Sequence, residues 1–150
     1  MQLWRISRHK LLDGVGGIVA DGRWHARGRP IVYCSTHPAS ALLEWIVHLE
    51  LVSEQIPTTI PYITVDVPDD VRSDRVPVSS LPATWRTNVS GTQEIGIQWI
   101  ASARSALLYV PSAVVPETEN VLINPLHTDA ARIHVGSIRD EPFDSRLFSG

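Results

Sequence analysis

Apolar and polar positions alternate over residues 2–7, where Leu3 and Ile6 flank Arg5, and that period predicts a first strand. Residues 30–35 carry Ile31, Val32 and Tyr33 in a row and read as a short buried strand. From Thr36 the period changes. Leu42, Trp45, Ile46, Leu49 and Val52 recur at helical spacing, and Thr36-His37-Pro38 offers a hydroxyl cap and a first-turn proline, so a helix is predicted over 36–52 with this stripe packed inward. Glu44 and His48 stand four apart on another face, which lets Glu44 point into a cleft. Alternation returns at 62–67, and Ile95, Trp99 and Ile100 predict a second helix over 92–102. Further strands are expected at 106–110, 120–123 and 132–135.

The remaining stretches read as connections. Residues 68–82 hold several prolines and acidic side chains and are expected to form an irregular surface segment. The run Asp13-Gly14-Val15-Gly16-Gly17 invites comparison with a dinucleotide fingerprint. Its spacing is wrong, and no long strand precedes it with a helix behind, so a flexible loop is expected. Strands outnumber helices and most connections are too short for helical crossovers, which favours an α+β mixed sheet with flanking helices over a doubly wound one.

Composition narrows the function classes. At 150 residues, 43% hydrophobic and 19% charged, the chain reads as one globular domain over 1–150. The net charge is −3 and the 13 basic residues are scattered, which argues against direct nucleic-acid binding. One cysteine, Cys34, excludes an intramolecular disulfide and suits a reducing compartment. No stretch approaches the roughly 18 apolar residues of a membrane span, and the N-terminus lacks the apolar run of a leader, so a cytoplasmic protein with no membrane association is expected. The 6 histidines do not fall into a zinc pattern and no metal is expected.

The candidate chemistry concentrates between Gly22 and Glu44. Arg23, in a loop beside glycine, has the fixed charge and forked donors that suit phosphate, with a solvated loop arginine as the plain alternative. Trp24 beside it either stacks on a ring or plugs the core. Tyr33 is either a core tyrosine or a wall on which an aromatic ring stacks. Glu44 interrupts Ala41-Leu42-Leu43 and Trp45-Ile46-Val47, so its carboxylate either faces solvent or serves a site. Arg27 and Arg29 can offer a phosphate site or plain loop charge. Ser112 ends a strand where a hydroxyl can bind a ribose or phosphate oxygen, and no G-x-S-x-G surrounds it to suggest a serine hydrolase. Asn124 and His127 are further candidate polar liners. An arginine, a tyrosine and a carboxylate in one cleft suit nicotinamide dinucleotide chemistry.

Six short motifs occur in order: Gly22-Arg23-Trp24, Tyr33-Cys34-Ser35, Ala41-Leu42-Leu43-Glu44, Gln93-Glu94-Ile95-Gly96, Val110-Pro111-Ser112-Ala113 and Asn124-Pro125-Leu126-His127. Together they resemble the RES domain, the toxin half of a bacterial toxin–antitoxin family, over nearly the whole chain. The chain departs from that pattern at His25, where asparagine is expected, and at Asp21, where a second glycine is expected. The resemblance implies a fold similar to ADP-ribosyltransferases, with Arg23, Tyr33, Glu44 and Ser112 as catalytic residues. It implies NAD+ as substrate rather than as a cofactor, contacted by Arg23, Trp24, Tyr33, Ser35, Ser112 and Asn124.

It further implies a toxin that depletes cellular NAD by hydrolysis or phosphorolysis of the nicotinamide–ribose bond, or transfers ADP-ribose to a protein. The partner it implies is a cognate antitoxin with an Xre-like helix-turn-helix domain that blocks the active site. In that chemistry Glu44 stabilises the oxocarbenium carbon, Arg23 holds the pyrophosphate, Tyr33 stacks near nicotinamide and Ser112 bonds the nicotinamide or ribose side. A catalytically inactive antitoxin-binding module is the alternative. The tryptophans and the apolar C-terminal half suggest a homo-oligomer, and residues 140–150 are left open between folding against a partner and staying loose.

Overall fold

A computed structural model describes residues 1–49 and 56–148. The alternating segments become strands β1 (Gln2–Ile6), β2 (Val32–Ser35), β3 (Thr59–Asp66), β4 (Ser73–Arg75), β5 (Leu107–Pro111), β6 (Glu119–Ile123) and β7 (His134–Pro142). The helices are α1 (Val15–Val19), α2 (Pro38–Val47) and α3 (Val89–Ser102). Among the described residues the strands form one 7-stranded sheet in the order β4-β5-β6-β2-β1-β3-β7. Neighbours are antiparallel except β4 and β5, which run parallel. This is the expected α+β fold, a mixed sheet with flanking helices.

The period of two sorts each central strand between two cores. Val32 and Cys34, Leu107, Val121 and Ile123 join Leu3, Ile63 and Val65 in one apolar cluster. The intervening Leu108, Val110 and Leu122 pack instead with Trp24, Trp85, Trp99 and Ile100, with Tyr33 against them. Three of the five tryptophans therefore serve the second core. Burial within the first core pushes the Cys34 thiol up to about 12, so it stays neutral.

Four elements differ from the sequence expectation. The glycine-rich stretch is a short helix, α1, and not a flexible loop: Gly14, at φ 73°, turns its carbonyl to accept from both Gly17 and Ile31 backbone N–H groups. The segment 68–82 contains β4, held by parallel pairing to β5, and a 3₁₀ turn at Val78–Ser80. Strand β7 runs to Pro142, well past the expected 135, because it pairs along the whole of β3 despite its exposed, charged residues. Helix α2 is capped by the His37 side chain, which accepts from the Ala39 N–H, and its assigned turns end at Val47. The expected continuation to Val52 reaches outside the described residues. Ala41 is the buried position of α2, while Leu42, Trp45 and Ile46 of the expected inward stripe are half-buried. Trp45 meets Phe143, just beyond β7, with ring centroids 5.7 Å apart, so the C-terminal segment folds back on α2.

Candidate active site

Helix α2 lies over β1 and β2. Glu44 follows the buried Ala41 by three residues, so both fall on the sheet-facing side. The carboxylate is held there through one oxygen. Oε1 accepts from the Ser112 hydroxyl at 2.5 Å and from the Asn120 amide at 2.9 Å. The Asn120 amide is oriented in turn by the Ser35 hydroxyl, which donates to its Oδ1 at 2.8 Å. The antiparallel register sets Ser35 opposite Asn120, so the pair is a direct product of β2–β6 pairing. No hydrogen bond engages Oε2 among the described residues, and Glu44 lines a cavity.

Ser112 is saturated. It donates to Glu44 and accepts the Val114 and Val115 N–H groups, each at 3.1 Å, and its side chain is 2% exposed. One donor and two lone pairs are all a hydroxyl has. In this arrangement the Ser112 hydroxyl holds Glu44 and has no group left over for the expected bond to nicotinamide or ribose. Arg86 fixes the loop behind it, donating to the Ala113 carbonyl at 2.8 Å and the Val114 carbonyl at 3.1 Å.

Another part of the lining is cationic. Arg23 and Trp24 occupy the centre of a tight turn closed by the Gly22 N–H on the His25 carbonyl at 3.0 Å. Helix α3 grips this turn from one side: the Thr92 hydroxyl donates to the Arg23 carbonyl at 2.6 Å, and the Gln93 amide donates to the Gly22 carbonyl at 3.0 Å. Gly96 permits the close approach, since a Cβ there would overlap the Trp24 carbonyl oxygen. Tyr33 supports the turn from below, its hydroxyl accepting the Trp24 N–H at 3.1 Å. Burial pushes the Tyr33 phenol well above its usual range, so it remains protonated at neutral pH.

With the turn so fixed, the Arg23 Nη1 is buried with no hydrogen-bond partner among the described residues. The same is true of Nε of Arg5, a residue the sequence reading passed over as the polar position of an alternating strand. Arg5 donates to the Tyr33 carbonyl at 3.3 Å and to the Ser7 hydroxyl at 3.2 Å, and burial lowers its pKa. Its signal was a cation inside Leu3-Trp4-Arg5-Ile6. A buried guanidinium nitrogen without an acceptor is costly unless an anion completes it.

Arg5, Arg23, Tyr33, Ser35 and Glu44 line one cavity of about 540 Å³, within the roughly 300–1,000 Å³ of small-molecule sites. Its wall also includes Asn120, which the sequence reading missed, while Trp24 reaches it mainly as a core residue, 2% exposed and packed against Trp85. Asn124 is not brought to the cavity. It follows the far end of β6 from Asn120, and its side chain accepts the Leu126 N–H at 3.1 Å in a local turn. His127 likewise accepts the Asp129 N–H and caps a 3₁₀ turn. Among the described residues there is no group of three or more metal-binding side chains, and no helix is long and apolar enough to cross a membrane.

The chain matches known proteins in both sequence and fold. The RES domain model matches residues 2–145. The chain is 40% identical to Toxin Res of Pseudomonas putida over 148 residues, covering 99% of this chain and 100% of the relative. It is 39% identical over 140 residues to the Prs ADP-ribosylating toxin of Sphingobium, covering 91% and 86% of the two chains. In fold it is similar to the solved M. tuberculosis MbcT-MbcA toxin-antitoxin complex, with a TM-score of 0.72 at 17% identity, over 94% of this chain and 84% of that one. The motifs, the sheet that assembles them and these matches have one conclusion: the chain belongs to the RES domain family.

Proposed function

We propose that this protein is a toxin that cleaves the nicotinamide–ribose bond of NAD+. The observation that carries the reading is a carboxylate, Glu44, clamped through one oxygen and facing the cavity where Arg5 and Arg23 each bury an N–H that has no partner among the described residues. The pyrophosphate of NAD+ would complete those guanidinium groups, and the Tyr33 ring supplies a surface for the nicotinamide. As the C1′–N1 bond breaks, its electron pair passes to the ring nitrogen and nicotinamide leaves neutral. The sugar carbon gains oxocarbenium character, which the Glu44 carboxylate stabilises. An acceptor oxygen then bonds to C1′ and releases its proton. Ser112 and Asn120 hold the carboxylate in place and so remove reorganisation from that step.

Hydrolysis or phosphorolysis would drain NAD+ and arrest growth in the cytoplasm. The name of the Sphingobium relative favours a second reading, transfer of ADP-ribose to a protein acceptor. The P. putida relative is called a toxin, and the fold neighbour was solved with an antitoxin; both support a cognate antitoxin as partner, and the family resemblance adds an Xre-type helix-turn-helix to it.

Incubation of the purified protein with NAD+ in phosphate and in phosphate-free buffer, with products identified by mass spectrometry, tests these readings. Free ADP-ribose in both buffers means hydrolysis, and a phosphorylated ADP-ribose only with phosphate means phosphorolysis. No loss of NAD+ without a protein acceptor, and loss when one is added, means transfer. Intact NAD+ throughout overturns the proposal.

A further inference from the structure

His25 stands directly after the Arg23-Trp24 turn, is 3% exposed, and has both ring nitrogens engaged. Nε2 lies 2.9 Å from the Ala20 carbonyl oxygen, and Nδ1 lies 2.8 Å from the Tyr33 hydroxyl. A carbonyl can only accept, so Nε2 carries the proton. In the neutral ring Nδ1 is then an acceptor. The Tyr33 hydroxyl already accepts the Trp24 N–H, and its own proton therefore points to Nδ1. The chain Ala20–His25–Tyr33–Trp24 closes on itself between the end of α1 and β2, beneath the turn that presents Arg23. Gly22 leaves room for it: a Cβ there would stand 2.5 Å from the Tyr33 oxygen and 2.7 Å from the His25 ring.

We infer that His25 is a positioning residue whose Nδ1 accepts the hydrogen bond of the Tyr33 hydroxyl and so fixes both the Tyr33 ring and the Arg23 turn. Tyr33 then contributes a ring face to the substrate and no proton, because its hydroxyl is committed on both sides. The inference rests on the reading of the cavity as an NAD+ site, and its test has one arm that does not.

Two substitutions separate the ring nitrogens. In His25→Asn the amide oxygen reaches the Nδ1 position and can accept from Tyr33, while the bond to Ala20 is lost. In His25→Gln the longer amide reaches the Nε2 position and keeps Ala20, while Tyr33 loses its acceptor. His25→Asn is expected to keep KM for NAD+ and kcat near those of the parent. His25→Gln is expected to raise KM about tenfold, the cost of one hydrogen bond to the site, with kcat changed less. Tyr33→Phe should raise KM similarly, and the Gln/Phe double variant should be no worse than either alone, as expected when one residue acts through the other.

A normal KM in His25→Gln, equal loss in Asn and Gln, or fully additive effects would overturn the inference. Imidazole ¹⁵N NMR of the unliganded parent protein supplies the independent arm. A ring protonated on Nε2 and unprotonated on Nδ1 is expected, and a proton on Nδ1 overturns the inference whether or not NAD+ is cleaved. Intact NAD+ with the expected tautomer would instead count against the substrate alone, with His25 still committing the Tyr33 hydroxyl proton.

Discussion

The two walls of the cavity satisfy their polar groups in opposite ways. On the carboxylate wall, Asn120 and Ser112 converge on a single oxygen of Glu44, Ser35 orients the Asn120 amide, and the hydroxyl of Ser112 has no bonding capacity to spare. On the cationic wall the backbone of the Arg23 turn is held by Thr92, Gln93 and Tyr33, yet one guanidinium nitrogen each of Arg23 and Arg5 is buried without a hydrogen-bond partner among the described residues. The difference separates two jobs. A group that must meet charge developing in a transition state is best held in place beforehand. A group that binds charge already present on a ligand has to leave its hydrogen bonds unmade until the ligand arrives. The carboxylate wall is therefore the candidate for rate and the cationic wall for affinity.

Substitutions that break this division rank by the wall they touch. Glu44→Gln keeps the shape of the carboxylate and removes its charge. It should cut kcat about 10²–10³-fold, the range typical of one electrostatic stabiliser, with NAD+ affinity largely kept, as steady-state kinetics and calorimetric binding would report. Arg23→Ala should do the reverse, raising KM about 10-fold or more with a smaller change in kcat, and Arg23→Lys should not restore it because a point charge lacks the guanidinium fork. A fall in kcat alone in either arginine variant would merge the two walls.

Ser112→Ala takes the donor from Glu44 and leaves two backbone N–H groups without an acceptor. Activity should fall about tenfold, and denaturant unfolding should show a loss of about 1–3 kcal/mol. Inorganic pyrophosphate should raise the melting temperature of the parent and not of an Arg5→Met, Arg23→Met double variant. At 100 times its Kd a ligand adds about 2.7 kcal/mol.

The smallest effect concerns the apolar core beneath β2. Burial raises the Cys34 thiol to about 12 from its ordinary value of 9.0. A group whose pKa is raised on folding contributes stability that is complete below the unfolded value and is lost as pH rises toward the folded one. Stability should therefore decline above pH 9 more steeply in the parent than in Cys34→Ala, as read from urea midpoints at successive pH values.

Much of this division was legible in the sequence, and unevenly so. Glu44 could be placed because helical spacing carried it off the apolar stripe, although the helix buries Ala41 and leaves that stripe half-covered. The turn at Arg23 could be located, and the structure explains why Gln93 and Gly96 travel with it: one donates to the turn and the other lets α3 approach it. Asn120 could not be found locally. Its role comes from standing opposite Ser35 across a strand pair 85 residues apart in sequence, a register that no short window encodes. Asn124 stands out in the sequence as a polar position of the Asn124-Pro125-Leu126-His127 motif, and the structure uses it for a turn. Arg5 was hidden by its strand, where alternation makes any polar residue look solvent-facing. Helix α1 and strand β4 are too short, at 5 and 3 residues, to show a period.

The most direct test of the central claim is nicotinamide release from NAD+ by the purified protein and by Glu44→Gln, with NAD+ binding measured on both. The account predicts stoichiometric release by the parent and, from the variant, binding of similar strength with release reduced at least about 100-fold. Release by Glu44→Gln at the parent's rate, or none from the parent under any acceptor condition, would contradict it.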